Sequence, residues 1–327
     1  MNMKKALSMV CAIVMIATSV FCMTACTDDG VYNVGICQLV QHPALDAATE
    51  GFMAALTDKL GDKVSFDNQN AAGSTDTCAT IVSTFVTKNV DLIMANATPA
   101  LQAAQNATAT IPVLGTSITE YGVALGIDDF TGVVGTNISG TSDLAPLDQQ
   151  ADMLVDLAPE AKKVAMIYCS AEANSAYQVK EVTRFLTEKG LECQNFPFSD
   201  SNDVQLIATQ AADWADAIYI PTDNTAASCA EAIWGAISDK KIPVIVGEEG
   251  ICAGTGLATL SIDYYDLGYA TGEMAAKILT GEANVAEMAI EYTPEEKLAK
   301  KYNKDIAEAI GYSVEDLEAK GYVAIEK

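Results

Sequence analysis

The chain has 327 residues, 50% of them hydrophobic, and carries 44 acidic against 19 basic side chains, for a formal charge of −25. A charge of that sign and size opposes nucleic acid and anionic lipid surfaces and favours solubility, so no nucleic-acid partner is expected. With one histidine, His42, and one arginine, Arg184, the chain can build neither a His-x-x-x-His zinc site nor a triad that does without His42, and it is poorly equipped to clamp phosphates.

At the N-terminus, Lys4 and Lys5 precede an apolar run from Ala6 to Phe21, then small residues, then Cys26. The run is short and terminal, which is the layout of an export signal rather than of a spanning helix. Met23-Thr24-Ala25-Cys26 resembles a bacterial lipobox, in which the cysteine is acylated and becomes the first mature residue. Residues 1–25 are therefore read as a signal, Cys26 as the lipidation site and residues 26–30 as a tether. Each buried acyl methylene is worth about 0.8 kcal/mol in lipid, enough to hold a soluble domain at a membrane face. The roughly 300 mature residues exceed what one core comfortably fills, so two domains are expected.

Apolar runs then alternate with helical patterns. Tyr32–Leu39 reads as a strand, residues 43–60 as a helix closed by Gly61, 63–68 as a strand, 75–88 as a helix, 91–96 as a strand, 99–107 as a helix and 111–116 as a strand. A helix over 143–157, capped by Ser142 or Asp143, ends before Pro159. The pattern then restarts: strands over 163–169, 192–196, 216–220, 242–247, 257–262 and 287–292, helices over 175–189, 203–212, 225–238 and 267–279. The glycines between Gly250 and Gly256 read as a turn, and the tail from Pro294 as an exposed, charged helix. Short apolar strands with helices between them require parallel sheets covered on both faces. Because the pattern begins twice, the fold class is α/β, with two doubly wound parallel-sheet lobes and a ligand cleft between them. Cys37, Cys78, Cys169, Cys193, Cys229 and Cys252 remain outside the leader, an even number that permits disulfides; the same thiols in apolar surroundings serve equally as small buried hydrophobes.

In open α/β sheets ligands bind beyond the carboxyl ends of the strands. The residues there are Gln38 and His42 after the first strand, Thr98 and Pro99 after the third, and Ser117, Thr119, Glu120 and Tyr121 after the fourth. The second half adds Glu172, Asn174 and Ser175, then Asp223 and Asn224, then Glu248, then Asp263 and Tyr264. Hydroxyls and helix N-termini suit a carboxylate, and the acids suit an ammonium group, so the set fits a small zwitterion. Thr98, Ser175 and Thr225 are equally ordinary helix N-caps.

The runs His42-Pro43-Ala44-Leu45-Asp46, Ala97-Thr98-Pro99-Ala100, Ala171-Glu172-Ala173-Asn174-Ser175, Pro221-Thr222-Asp223-Asn224-Thr225 and Asp263-Tyr264-Tyr265-Asp266-Leu267-Gly268 resemble, in order and over nearly the whole mature chain, the solute-binding lipoproteins of bacterial ABC importers. The group they most resemble includes tryptophan- and other aromatic amino acid-binding receptors. The resemblance implies a type I periplasmic-binding fold with crossings near Thr141, Asp263 and Ala286. Residues 31–142 and 264–286 would form lobe 1, and residues 143–263 and 287–327 lobe 2. It further implies Thr98 and neighbouring amides for a ligand carboxylate, and Glu172, Asn174 and Ser175 with Asp223 and Asp263 towards its amino group. His42 would stand at the cleft mouth. Thr119-Glu120-Tyr121-Gly122 departs from the family's Thr-Asp-Pro, and Tyr121 either stacks on an aromatic ligand or fills the proline's volume.

The expected protein is thus an extracytoplasmic, lipid-anchored monomer that captures a small zwitterion, foremost an aromatic or other apolar amino acid, by lobe closure and hands it to an ABC permease. No enzymatic step, metal or cofactor is expected. A sugar or nucleobase receptor of the same fold is the alternative, and a glycosidase using Glu172 and Asp223 the more distant one.

Overall fold

The first sheet grows from β1 (Tyr32–Gln38), whose Val34 to Gln38 are buried because helices cover both faces. The structure is a computed structural model in which residues 30–325 are described; the expected signal and Cys26 lie outside the described residues. From Tyr32 onward the chain forms one compact unit. β2 (Val64–Asn70), β3 (Leu92–Asn96), β4 (Val113–Ile118), β5 (Ile138–Ser142) and the two-residue β11 (Glu291–Tyr292) complete the sheet in the order β11-β5-β4-β3-β1-β2, all parallel. The connecting helices obey local rules: Pro43 opens helix Pro43–Leu60, and Ser74 caps helix Thr75–Lys88 by accepting from the Thr77 N–H at 3.2 Å.

β5 is fully buried although its sequence, Ile-Ser-Gly-Thr-Ser, carries no apolar run. A Cβ at Gly140 would lie 2.0 Å from the Gly115 carbonyl oxygen, and its φ of +141° suits glycine, so the β4–β5 contact depends on that glycine.

The second sheet contains β6 (Lys163–Cys169), β7 (Glu192–Phe198), β8 (Ala217–Ile220), β9 (Val244–Val246), β10 (Ala258–Ser261), β12 (Ala299–Tyr302) and β13 (Val323–Ala324), ordered β13-β12-β10-β9-β8-β6-β7. It is parallel from β7 to β10, with β12 antiparallel to β10. The tail after Pro294, expected as an exposed helix, instead supplies β12, β13 and two short helices, Lys304–Ile310 and Val314–Ala319, with Tyr302 fully buried beneath them. Its Lys/Glu content masked a short apolar face. The Gly250–Gly256 stretch, expected as a turn, contains helix Glu249–Gly254, started by the Glu248 side chain.

After β10 the chain returns to the first lobe as helix Tyr264–Leu279, which lies along helix Pro43–Leu60. The seam is built from small residues. A Cβ on Gly268 would sit 1.9 Å from the Ala48 carbonyl oxygen, one on Gly51 2.1 Å from that of Tyr265, and one on Gly272 2.6 Å from Ala55 Cβ. The return to the second lobe was expected near Ala286. It falls later, because Glu291 and Tyr292 pair with Thr141 and Ser142, and the Ser139 hydroxyl donates to the Met288 carbonyl at 3.1 Å.

Backbone on the far side of the seam cannot yield as a flexible side chain would, so Gly268→Ala is expected to lower unfolding stability by about 3 kcal/mol. Chemical denaturation of the mature domain checks this; an unchanged midpoint would mean that the two helices are not held at this distance in solution.

Candidate functional site

In both sheets the parallel strands present their carboxyl ends to one edge, and the side chains that follow those ends are buried and polar: Gln38, His42, Thr98, Ser117, Thr119 and Asp143 in the first lobe, and Glu172, Asn174, Ser175, Asp223, Asn224 and Glu248 in the second. Two of the strand ends are backbone-strained. Ala97 (φ +90°) after β3 and Ser117 (φ +56°), the penultimate residue of β4, are non-glycine residues in the left-handed region, a cost commonly retained where a backbone must present itself to a ligand. Ala97 is also the N-cap of helix Thr98–Ala107 and offers no side-chain acceptor to its first turn, where Thr98 and Pro99 are buried.

His42 and Asn224 join the lobes. His42 Nε2 lies 3.3 Å from Asn224 Oδ1. The Asn224 amide nitrogen donates to Glu172 at 2.6 Å, which fixes the oxygen towards His42. Oxygen accepts, so Nε2 carries the hydrogen and Nδ1 is left as a bare acceptor with no protein partner. Burial lowers the His42 pKa against the opposing pull of Asn224 and the Glu172 charge, which keeps the ring neutral at neutral pH.

The acids expected to face an amino group are mostly satisfied within the protein. Glu172 accepts from the Asn224 N–H (3.0 Å) and side-chain amide, from the Thr225 N–H (2.9 Å) and hydroxyl (2.8 Å), and from Asn174 Nδ2 at 3.3 Å. Asp223 accepts from the Cys169 N–H at 2.6 Å, the Ala226 N–H at 2.8 Å and the Ser175 hydroxyl; burial and the neighbouring Glu172 raise its pKa. Glu248 accepts from the Gly250 and Ile251 N–H groups, and burial pushes it up to about 7. Asp263 is exposed and caps helix Tyr264–Leu279 through the Asp266 N–H. These carboxylates therefore serve as helix-terminus anchors. The capping expected of Thr98, Ser175 and Thr225 falls instead at the N-cap positions of Ala97, Glu172 and Asp223.

Two further candidates, Tyr121 and Gln38, are committed within the first lobe, and for Tyr121 the volume-filling alternative is the one realised. Tyr121 is fully buried in the first lobe, near-parallel to Phe130, and its hydroxyl donates to the Gly115 (3.0 Å) and Thr141 (3.2 Å) carbonyls, so it fills core volume and offers no ring to a ligand. Gln38 holds the loop after β1, donating to the Val40 carbonyl and Asp46 and accepting from Thr49 at 2.7 Å; it is scaffold.

Asp143, read from sequence as a helix cap, is the acid with a free face. It follows β5 on the first crossing and is 4% exposed. Its Oδ2 accepts from the Tyr264 hydroxyl at 3.0 Å and its carboxylate also takes the Thr119 hydroxyl, whereas Oδ1 has no protein partner. Burial raises its pKa to about 6 against those two hydrogen bonds. The helix it was expected to cap starts only at Leu147, after Pro146, which leaves Asp143 in the crossing itself. Tyr264, on the second crossing, also reaches the Thr222 side chain, so its hydroxyl ties both crossings to the tip of β8.

Ser117 Oγ, Asn96 Oδ1 and Asn174 Oδ1 join His42 Nδ1 and Asp143 Oδ1 as buried atoms without a protein partner. Each such atom left unsatisfied costs about 1–3 kcal/mol, a cost that a polar ligand reaching it would relieve. A pocket of 390 Å³ is lined by Pro43, Ala47, Glu248, Gly250, Ile262 and Tyr264 among others, and none of the five unpartnered atoms belongs to a residue of its lining. Among the described residues no cluster of three metal-ligating side chains occurs, and no helix is long and apolar enough to cross a membrane.

Comparison with known proteins agrees with this architecture. The family model described as ABC transporter substrate binding protein matches residues 33–317. A tyrosine-binding protein of Clostridioides difficile (strain R20291) is 38% identical over 254 residues, 77% of this chain and 73% of that one. A Streptococcus pneumoniae ABC domain solved in complex with L-Trp is 30% identical with a TM-score of 0.85, over 90% of this chain and all of that one. The ligand-free, open structure of a substrate-binding protein with adhesive properties from Clostridium difficile is 36% identical but superposes with a TM-score of 0.67, over the same shares.

If Asp223 is an anchor, Asp223→Ala strands the Cys169 and Ala226 N–H groups and is expected to cost about 3 kcal/mol of folding stability. Paired denaturation and ligand-titration measurements check it; lost affinity with full stability would return Asp223 to the ligand.

Proposed function

We propose, from the premise that this chain belongs to the ABC transporter substrate-binding protein family, that it captures an L-aromatic amino acid and delivers it to its permease. The family's role is extracytoplasmic binding rather than catalysis. The observation that carries the reading is the Asp143 carboxylate: a buried acid on the crossing between lobes with one oxygen unpartnered, in a site whose other acids are filled by N–H donors. A ligand α-ammonium supplies the cation that Asp143 lacks. The ligand carboxylate is assigned to the Ser117 hydroxyl and the amides that open helix Thr98–Ala107, where the helix dipole favours an anion. His42 Nδ1 and Asn174 Oδ1 remain to accept hydrogen bonds from a donor on the ligand, an aromatic hydroxyl or indole N–H included.

Closure is the working step. Ligand contacts made to both lobes are complete only when His42 reaches Asn224, so binding favours the closed form by differential affinity. The better superposition on the L-Trp complex than on the more similar open protein supports reading the present arrangement as closed. The relatives bind tyrosine and L-Trp by name, which supports an aromatic solute here. We infer that an export signal and an acylated Cys26 tether the domain as a monomer to the outer face of the cell membrane, with the lobes divided at the crossings near Ser142, Asp263 and Tyr292.

Calorimetry of the mature domain is expected to register tyrosine, tryptophan or phenylalanine binding; a response to sugars or nucleosides alone would reject the reading. Asp143→Asn is expected to weaken the amino acid at least a hundredfold, about 3 kcal/mol, and to leave the analogue lacking the amino group nearly unchanged. Equal losses for both compounds would assign Asp143 a purely structural role.

The ammonium group binds the ionised acid. With Asp143 near 6, a proton must leave below that pH before the ligand can bind. Affinity is therefore expected to fall about tenfold from pH 7 to pH 5, and less in Asp143→Asn. In the unliganded protein the sign reverses. The native state holds this proton more tightly than the unfolded chain does, so the Asp143 contribution to stability declines as pH rises from about 4 to about 6. Titrations at the two pH values test the first statement; equal affinities would refute it.

A further inference from the structure

Six cysteines lie among the described residues, and four of the thiols have partners other than sulfur. Cys169 donates to the Ser199 carbonyl and Cys252 to the Gly256 carbonyl, both at 3.6 Å; Cys229 lies 3.7 Å from the Ser228 hydroxyl, and Cys193 meets the Thr187 side chain. Cys37 and Cys78 are different: both are free thiols, and each is the foremost influence on the other's ionisation, so the two side chains are neighbours. Both residues are fully buried in the same cluster of the first lobe.

The backbone explains why they meet. Cys37 is the penultimate residue of β1, and Cys78 lies one turn into helix Thr75–Lys88. The segment between them is folded back onto β1: the Ala71 N–H donates to the Gln38 carbonyl, the Gly73 N–H to the Leu39 carbonyl, and the Ser74 N–H to the Ala71 carbonyl. The first turn of the helix is thereby laid against the end of β1, and the two sulfurs are brought together by main-chain hydrogen bonds independent of the thiols.

We propose that Cys37 and Cys78 are joined by a disulfide in the mature protein on the cell exterior, formed as the domain folds after export. The family's place outside the cytoplasm removes the reducing pool that would keep such a pair as thiols. The reaction is thiol–disulfide exchange with a disulfide-bearing oxidant, either a secreted oxidoreductase or a small-molecule disulfide. The thiolate of one of the two cysteines attacks a mixed disulfide formed at the other; the Cys37–Cys78 S–S bond forms and the oxidant leaves as a thiolate. In sum, two protein thiols lose two protons and two electrons, and the oxidant's S–S bond is reduced to two thiols. Because neither sulfur reaches solvent in the folded domain, exchange takes place before burial is complete, and the finished bond is shielded from reductants. The bridge pins the end of β1, five residues before His42, to the neighbouring helix.

The test uses the full lipoprotein harvested from the surface of its own cells, denatured without reductant, alkylated and digested. The expected result is four alkylated cysteines and one cross-linked peptide pair containing Cys37 and Cys78, which separates on reduction with the gain of two hydrogens. Cys78→Ala is expected to abolish the cross-link and leave Cys37 alkylated. Alkylation of all six cysteines, or a cross-link between any other pair, would overturn the proposal. Either outcome is independent of whether amino acids bind.

Discussion

A buried carboxylate must be compensated, and no ion pair among the described residues reaches Glu172, Asp223, Glu248 or Asp143. The ion pairs among the described residues lie on the surface or are at most half-buried, as for Lys301 with Glu249. Glu172, Asp223 and Glu248 are buried all the same, and each is compensated by backbone N–H groups at the start of a helix. That solution fixes the helices against the strand tips and spends the acids' capacity on the scaffold. Asp143 alone in the cleft keeps an oxygen that nothing in the protein fills. On the proposed reading the selectivity of the site follows from that asymmetry: the other buried acids are taken up by N–H donors, and Asp143 is left to meet a ligand's cation.

The same asymmetry explains why the site lies on the crossings. Asp143 and Tyr264 belong to the two segments that pass between lobes, and their hydrogen bond holds those segments at a fixed distance while the lobes turn about them. Behind them the Gly51, Gly268 and Gly272 seam leaves no slack between the helix that begins at Pro43 and the helix that leaves the second crossing. His42 immediately precedes the first helix and Tyr264 begins the second. A displacement of the seam would move both groups at once, so rigid packing far from the ligand sets the geometry of the polar cluster.

Much of this was legible in the residues. The strand–helix alternation, its second start at Lys163 and the tips where polar side chains gather all follow from hydrophobic periodicity and from where parallel strands end. What escaped did so for identifiable reasons. β5 is built from Ser, Gly and Thr, whose burial depends on a close glycine contact rather than on apolar surface. Helix Glu249–Gly254 was hidden by its glycines, and the tail by its charge. At the site, the sequence marked the loops where buried polar side chains gather but not how their acids are occupied. Glu172 and Asp223 stand where N-caps are needed, and only the count of donors around each reveals that they are occupied. Asp143 was concealed by a longer helix in the reading than Pro146 allows. Tyr121 read as a departure at the cleft, but its hydroxyl is committed to two carbonyls within the core.

The contact that closes the cleft is deliberately weak in physical terms. A neutral imidazole facing an amide oxygen at 3.3 Å contributes about 1 kcal/mol or less, far below what an ion pair at the same depth would give. A charged latch would hold the lobes together without a ligand and leave little differential affinity for the solute to exploit. Lowering the His42 pKa by burial keeps that latch uncharged beside Glu172. On the proposed reading closure then depends on the ligand's ammonium and carboxylate satisfying groups from both lobes, and release requires only that those contacts be lost. A receptor that must surrender its cargo to a permease is served by a cleft whose own cross-lobe bonding is this slight.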